Sequence, residues 1–141
     1  MDTNPILSNR FIEGHLDQEK SLLTVHWFPS TYDLKVQEYK DIVLEIADLI
    51  REKRIKHWMG YSKDFAFVIT PELQEWISGE FNQKLIEGGL QKMAIIIPAD
   101  YIANLSVQQA VGEMEKRQQE GDYQTRYFDN PEQAEAWLME A

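Results

Sequence analysis

The run Lys92-Met93-Ala94-Ile95-Ile96-Ile97-Pro98 restricts the fold of this chain more than any other segment. It is short, rich in β-branched residues and free of polar alternation, with Gly88-Gly89 ahead of it and a proline behind. A run of this kind reads as a strand covered on both faces, the condition of a sheet interior flanked by helices. Helix-like segments lie on either side, so the predicted class is α/β.

The rest of the chain alternates in the same way. Phe11 to Leu16 and Leu22 to Phe28 read as strands joined by the polar connection Asp17 to Ser21, an antiparallel hairpin. In the second strand Leu23, Val25 and Trp27 share one face, and Thr24, His26 and Phe28 the other. Tyr39, Ile42, Val43, Ile46, Ala47 and Ile50 then fall at helical spacing within a segment from about Leu34 to Lys56. A third strand covers His57 to Tyr61. After it, Phe65-Ala66-Phe67-Val68-Ile69 reads either as a short strand or as an ordered loop packed on the core. Thr70-Pro71-Glu72 starts a helix, with Thr70 at N-cap and Pro71 at N1, and Leu73, Trp76, Ile77, Phe81 and Leu85 form its buried stripe before the left-handed exit at Gly88-Gly89. The Lys92 to Ile97 strand follows. The spacing of Ser106 and Gln109 predicts a capping box opening a helix through Val107, Ala110, Val111 and Met114 toward Gly121. Asp122 to Phe128 is the last strand, and Asn130-Pro131 caps a closing helix that buries Ala134, Trp137 and Leu138.

Composition narrows the function classes. A length of 141 residues fits one domain with a real core. With 24 acidic and 14 basic side chains the formal charge is −10, which repels polyphosphate backbones and anionic membrane surfaces, so no nucleic-acid partner is expected. The absence of cysteine excludes disulfides, zinc-thiolate sites and thiol catalysis. The start Met1-Asp2-Thr3-Asn4-Pro5 lacks the pattern of a secretory signal, and no apolar run approaches the ~20 residues of a membrane span. The expectation is a soluble cytoplasmic protein.

Chemical motifs are scarce. His15, His26 and His57 lie on or beside predicted strands, but their spacing matches no metal-ligand pattern, and no metal or cofactor is expected. The pairs Glu72 with Glu75 and Glu132 with Glu135 sit in first helical turns, where negative charge is favourable without catalytic purpose. Gly88-Gly89 follows a helix and precedes a strand, the reverse of a phosphate-binding loop. The basic cluster from Arg51 to Lys56 has two readings, an anion-binding patch or a helix carboxyl end complementing the dipole, and the dipole accounts for its position. Aromatic residues make up 11% of the chain, and Tyr61, Phe65, Phe67, Trp76 and Phe81 gather around one loop and the helix after it. They read as core, as the lining of an apolar pocket, or as a ligand or partner surface.

The closing Arg126-Tyr127-Phe128-Asp129-Asn130-Pro131-Glu132-Gln133-Ala134-Glu135-Ala136-Trp137-Leu138 resembles the end of the SpoIIAA-like branch of the STAS-like superfamily. Trp58, the Ile69-Thr70-Pro71-Glu72-Leu73-Gln74-Glu75-Trp76-Ile77 helix start and Gly89-Leu90-Gln91-Lys92-Met93-Ala94-Ile95 look like further landmarks of that branch. The resemblance covers nearly the whole chain. It implies a single STAS-like domain over residues 1–141, with an N-terminal β-hairpin, then alternating helices and strands, and a mixed, mostly parallel sheet of about five strands with helices packed on it. It also implies a domain that binds proteins or small ligands rather than catalysing a reaction. The serine switch of the family's antagonists sits in an Asp-Ser-Ser-Gly-like turn that this chain lacks; Ser62 and Thr70 are the hydroxyls nearest in position, as possible phosphoacceptors or simply as a loop residue and a cap.

Three classes of function follow. The first is a regulatory module that contacts a protein partner or a second copy of itself, through aromatic residues from Tyr61 to Phe67 and the strand edge of the N-terminal hairpin. The second is a carrier of a small apolar or lipid-like ligand in a pocket between sheet and helices. The third, an enzyme, requires a strongly perturbed histidine or carboxylate in a cleft, and no nucleophile-base pair can be read from the chain.

Overall fold

Alternating side chains along the second and third strands, and continuous apolar ones along the fifth, give a sheet with two different faces. In this computed structural model, which describes residues 4–140, six strands form one sheet in chain order. They are β1 (Leu7–Ser8), β2 (Ile12–Asp17), β3 (Leu22–Trp27), β4 (His57–Tyr61), β5 (Lys92–Ile96) and β6 (Gln124–Phe128). The pairs from β1 to β3 are antiparallel and those from β3 to β6 parallel. The class is thus α/β with a mixed sheet, and β2 and β3 make the expected hairpin. The sequence pattern misses β1, only two residues long, which pairs Leu7 with Gly14 and Ser8 with Glu13. It occupies the edge that the hairpin was expected to expose.

The helices are α1 (Val36–Glu52), α2 (Pro71–Trp76), α3 (Asn82–Glu87), α4 (Tyr101–Lys116) and α5 (Pro131–Leu138). The three crossovers from β3 to β6 advance in one direction along the sheet, and connections of one hand then stack their helices on one face. The main core lies there: Leu23, Val25, Trp58, Met93 and Ile95 of the sheet meet Ile46 of α1, Leu73 of α2, Leu85 of α3 and Val111 of α4. On the opposite face α5 alone sets Ala134, Trp137 and Leu138 against Leu22, Met59, Ala94 and Ile96. Thus β5 is buried on both faces, as its composition requires.

Two segments depart from the sequence reading, and a third settles one that had two alternatives. The α4 helix begins at Tyr101, capped by the Asp100 carboxylate accepting from Ala103 N–H at 2.8 Å, so Ser106 lies inside it rather than at its cap. Its hydroxyl accepts from Ile69 N–H at 2.9 Å and donates to Ala103 O, which explains a serine in mid-helix. The helix from Thr70 to Gly88 is not uniform, because Ile77–Phe81 is a π-helical turn between α2 and α3. Leu73, Ile77, Phe81 and Leu85 are spaced four apart, and at 3.6 residues per turn each step overshoots by about 40°. The wider turn takes back that drift and keeps all four buried. Trp76, expected in the same stripe, is only half-buried. Residues 65 to 69 form an ordered, irregular segment with Phe65, Phe67 and Ile69 buried.

Candidate functional site

Across the helix-facing side of the sheet runs the row Gly14, Val25, Gly60 and Ile95, fixed by the register of β2 to β5. Glycine at position 14 lets β1 lie close, because a Cβ there would crowd Leu7 Cβ at 3.2 Å. At Gly60 nothing compels it. A Cβ would meet Ser62 Oγ at 3.4 Å and Ala94 O at 4.0 Å, both ordinary contacts. The missing side chain leaves a gap between Val25 and Ile95, under the π turn.

A cavity of about 80 Å³ occupies this space. Trp58 and Gly60 of β4, Trp27 of β3 and Ile95 of β5 form its floor, with Tyr39 of α1, Ile77 and Phe81 of the π turn and Val111 of α4 above. Phe65 and Ile69 close the side reached from the irregular loop. The walls are rigid aromatic packing: Trp27 meets Phe65 edge to face at 5.1 Å, Tyr39 stacks on Phe67 at 5.1 Å, and Trp58 meets Phe81 edge to face at 6.1 Å. Side chains of this kind in a close-packed interior normally leave few voids larger than a water molecule.

The polar groups here are few. Trp58 is 6% exposed, and its Nε1–H meets no acceptor, the one buried side-chain donor or acceptor so left among the described residues. An unpaired buried donor costs about 1–3 kcal/mol. Ser62 is buried and its hydroxyl donates to Gly60 O at 3.1 Å. Burial pushes the Tyr39 phenol above its ordinary pKa, so it stays protonated at neutral pH. No lining residue carries a charge.

Behind the cavity the π turn is pinned by Asn82, which is buried. Its Nδ2 donates to Ser78 O at 3.1 Å and Met114 O at 3.2 Å, and its Oδ1 accepts from Tyr123 Oη at 2.6 Å. The side chain thereby satisfies a carbonyl of the widened turn and ties it to α4 and to the residue before β6.

The five aromatic residues singled out from sequence are divided by the fold. Phe65 and Phe81 line the cavity, and Phe67 is buried beside it against Tyr39. Trp76 lies outside, half-buried, with Lys40 Nζ 5.1 Å from its ring centroid. Tyr61 is on the opposite face of the sheet, 4.6 Å from the His26 ring. Phe65 and Phe67 are therefore not the exposed aromatics that a partner surface was expected to use. Of the two hydroxyls, Thr70 caps α2 and is exposed, whereas Ser62 is buried. The histidines do not converge: His15 lies 3.2 Å from Glu13, His26 packs at a tilt of 41° against Tyr61, and His57 Nδ1 is 3.0 Å from Lys20 O. Trp27, Tyr39 and Trp58 also line the cavity though sequence reasoning assigned them no site role, and their polar tips were the available signal.

Around the carboxyl ends of β3, β4 and β5, large apolar side chains face solvent: Tyr32, Val36, Val68, Tyr101, Ile102 and Leu105, with Tyr32 and Tyr101 each 76% exposed. Ala66 N–H donates to Thr31 Oγ1, Ile69 N–H to Ser106 Oγ and Ala99 N–H to Lys63 O, which draws the three connections into one rim. No helix among the described residues is long and apolar enough to cross a membrane. In comparisons with protein-family models, curated proteins and solved structures, nothing matched this chain.

Proposed function

We propose that the chain is a non-enzymatic binding module that holds a small apolar ligand in the cavity between its sheet and its helices. The observation that carries this reading is the glycine at position 60, which adds to a cavity of about 80 Å³ in an aromatic core although a methyl group would fit there. An empty void forfeits dispersion contacts, and an interior strand glycine often marks the close approach of a ligand. The cavity is roughly half the ~150 Å³ that admits a benzene ring, so its occupant is a short or branched alkyl group of about three or four carbons. The uncharged lining favours ligand binding over acid-base chemistry. The resemblance to STAS-like domains supports the same class.

Titration of the full chain with isobutene, a four-carbon probe of matching size, followed by methyl NMR, tests the reading. Saturable shifts are expected at Val43, Met93, Val111 and Met114, weakened in Gly60→Ala. Unsaturated shifts spread over surface methyl groups would refute it. Native mass spectrometry of the protein from its own cells, beside a denatured sample, then gives the mass of the natural occupant.

A second reading rests on the apolar rim. In it, the module receives a protein partner, a second copy of this chain included, across Tyr101, Ile102 and their neighbours. Sedimentation of the wild type beside a Tyr101→Lys, Ile102→Lys variant tests self-association. A dimer lost in the variant supports the reading, and monomers throughout remove the second copy as the occupant.

A further inference from the structure

The two edges of the sheet are guarded differently. At one, β1 is only two residues long; at the other, β6 has five residues and no proline. Gln124 N–H donates to Gln91 O and Ile97 N–H to Phe128 O, so in the parallel ladder Gln124, Arg126 and Phe128 bond to β5. The N–H and C=O groups of Thr125 and Tyr127 therefore point away from the sheet, and no hydrogen bond among the described residues reaches them. An open groove of about 810 Å³ lies along this edge, lined by Thr125 and Arg126 of β6, by Glu115 near the end of α4, and by Gln118 and Glu120 beyond it. We infer that this groove receives an extended basic segment of a protein partner, which adds a strand to β6.

Charge selects the partner. Glu115 and Glu120 are exposed, and among the described residues neither carboxylate has an ion pair or a hydrogen bond. Glu115 stands close to the edge: after burial, its charge is the next cause that raises the Tyr127 phenol. The two cations of the groove are turned to the other face. Lys92 Nζ donates to Trp137 O and Glu140 O at 2.9 Å each, and Arg126 Cζ lies 5.3 Å from the Trp137 ring centroid. Side chains alternate along an added strand, so basic residues at every second position meet Glu115, and apolar ones between them lie along Gln124, Arg126 and Phe128. A second copy fits poorly. Pairing β6 with β6 about a two-fold axis brings Glu115 of both chains to one face and Arg126 of both to the other, and each chain carries −10.

The probe is a peptide of alternating lysine and valine, added to the full chain at physiological salt and followed by amide hydrogen exchange. In the free protein the Thr125 and Tyr127 amides are expected to exchange fast and the Arg126 amide slowly; saturation with the peptide is expected to protect Thr125 and Tyr127. Thr125→Pro removes an outward N–H and leaves the ladder to β5 whole, and is expected to weaken binding roughly 3- to 10-fold. Glu115→Gln is expected to weaken it roughly 2- to 5-fold, the worth of an exposed ion pair. A peptide N-methylated along one edge makes the same ladder test on the wild type if Thr125→Pro does not fold. No binding, or binding that leaves both amides unprotected, overturns the inference. A glutamate-valine peptide that binds equally well overturns the basic partner. Protection of both amides in the protein alone, with a dimer in sedimentation, overturns it in favour of a second copy.

Discussion

Replacing Gly60 by alanine separates a cavity kept for a ligand from one that is an accident of packing. The added methyl group points into the space beside Trp58 and meets Ser62 Oγ at 3.4 Å, so no neighbour has to move. Two terms favour the variant. Alanine loses less conformational freedom than glycine in a strand, worth about 0.5–1 kcal/mol. The methyl group buries about as much apolar area as one methylene, worth about 0.8 kcal/mol. Together they predict a gain of about 1–2 kcal/mol, or roughly 3–8 °C in melting temperature for a chain of this length. Urea melts measure it, with a higher midpoint and an unchanged slope. In the same variant the affinity for isobutene is expected to fall by roughly 10- to 200-fold, the worth of one methylene in a tight apolar pocket. Stability and binding should thus move in opposite directions, the trade-off expected where a site is kept at the core's expense. A lower or unchanged midpoint would refute the reasoning, since it would mean that the space beside Gly60 is not open.

Trp137 anchors α5 over the second core, within 5.8 Å of the Phe128 ring, and Trp137→Ala should lose about 3–5 kcal/mol in denaturant melts. Trp27 lies in β3 between β2 and β4, in the sheet interior, so Trp27→Ala should lose a similar amount. Asn82→Ala removes the side chain that pins the π turn and the acceptor 2.6 Å from Tyr123 Oη, and should lose about 2–4 kcal/mol, against about 1 kcal/mol for Tyr123→Phe. Burial raises the pKa of Tyr39 and Tyr123, and pushes Tyr127 up to about 12. The folded state therefore keeps protons that the unfolded chain releases near pH 10. Stability is intact below pH 10 and falls as pH rises beyond it, and Tyr39→Phe should reduce that alkaline slope by about 1.4 kcal/mol per pH unit in melts from pH 9 to 12.

The parts of the fold legible in sequence were those governed by local rules. The α/β class, the hairpin from β2 to β3, the Thr70-Pro71 and Asn130-Pro131 caps and the closing helix all follow from periodicity and capping chemistry. The misplaced start of α4 shows where such rules stop: Ser106 has the spacing of a cap, but its partner is Ile69 across the layer, a contact no local pattern encodes. The two-residue β1 is too short to carry a period. The cavity was legible only in part. Aromatic enrichment pointed to Phe65 and Phe81, but the part of the space beside Gly60 depends on its lying between Val25 and Ile95, a register known only once three strands are paired. The π turn left a trace in the four-residue spacing from Leu73 to Leu85, which a standard helix tolerates well enough to conceal.

The strict chain order of the strands bears on how the molecule is made. Each strand bonds to the one synthesised just before it, so the sheet can grow by addition from β1 to β6 with no strand waiting for a later one to be inserted between its neighbours. The helices of the main core are added at the same steps as the strands they cover. The second face is different: Met59, Ala94 and Ile96 are all in place before α5 emerges to shield them. A nascent chain that has reached β6 is a finished sheet with one bare apolar flank, and the last eight-residue helix turns it from a sticky intermediate into a closed molecule.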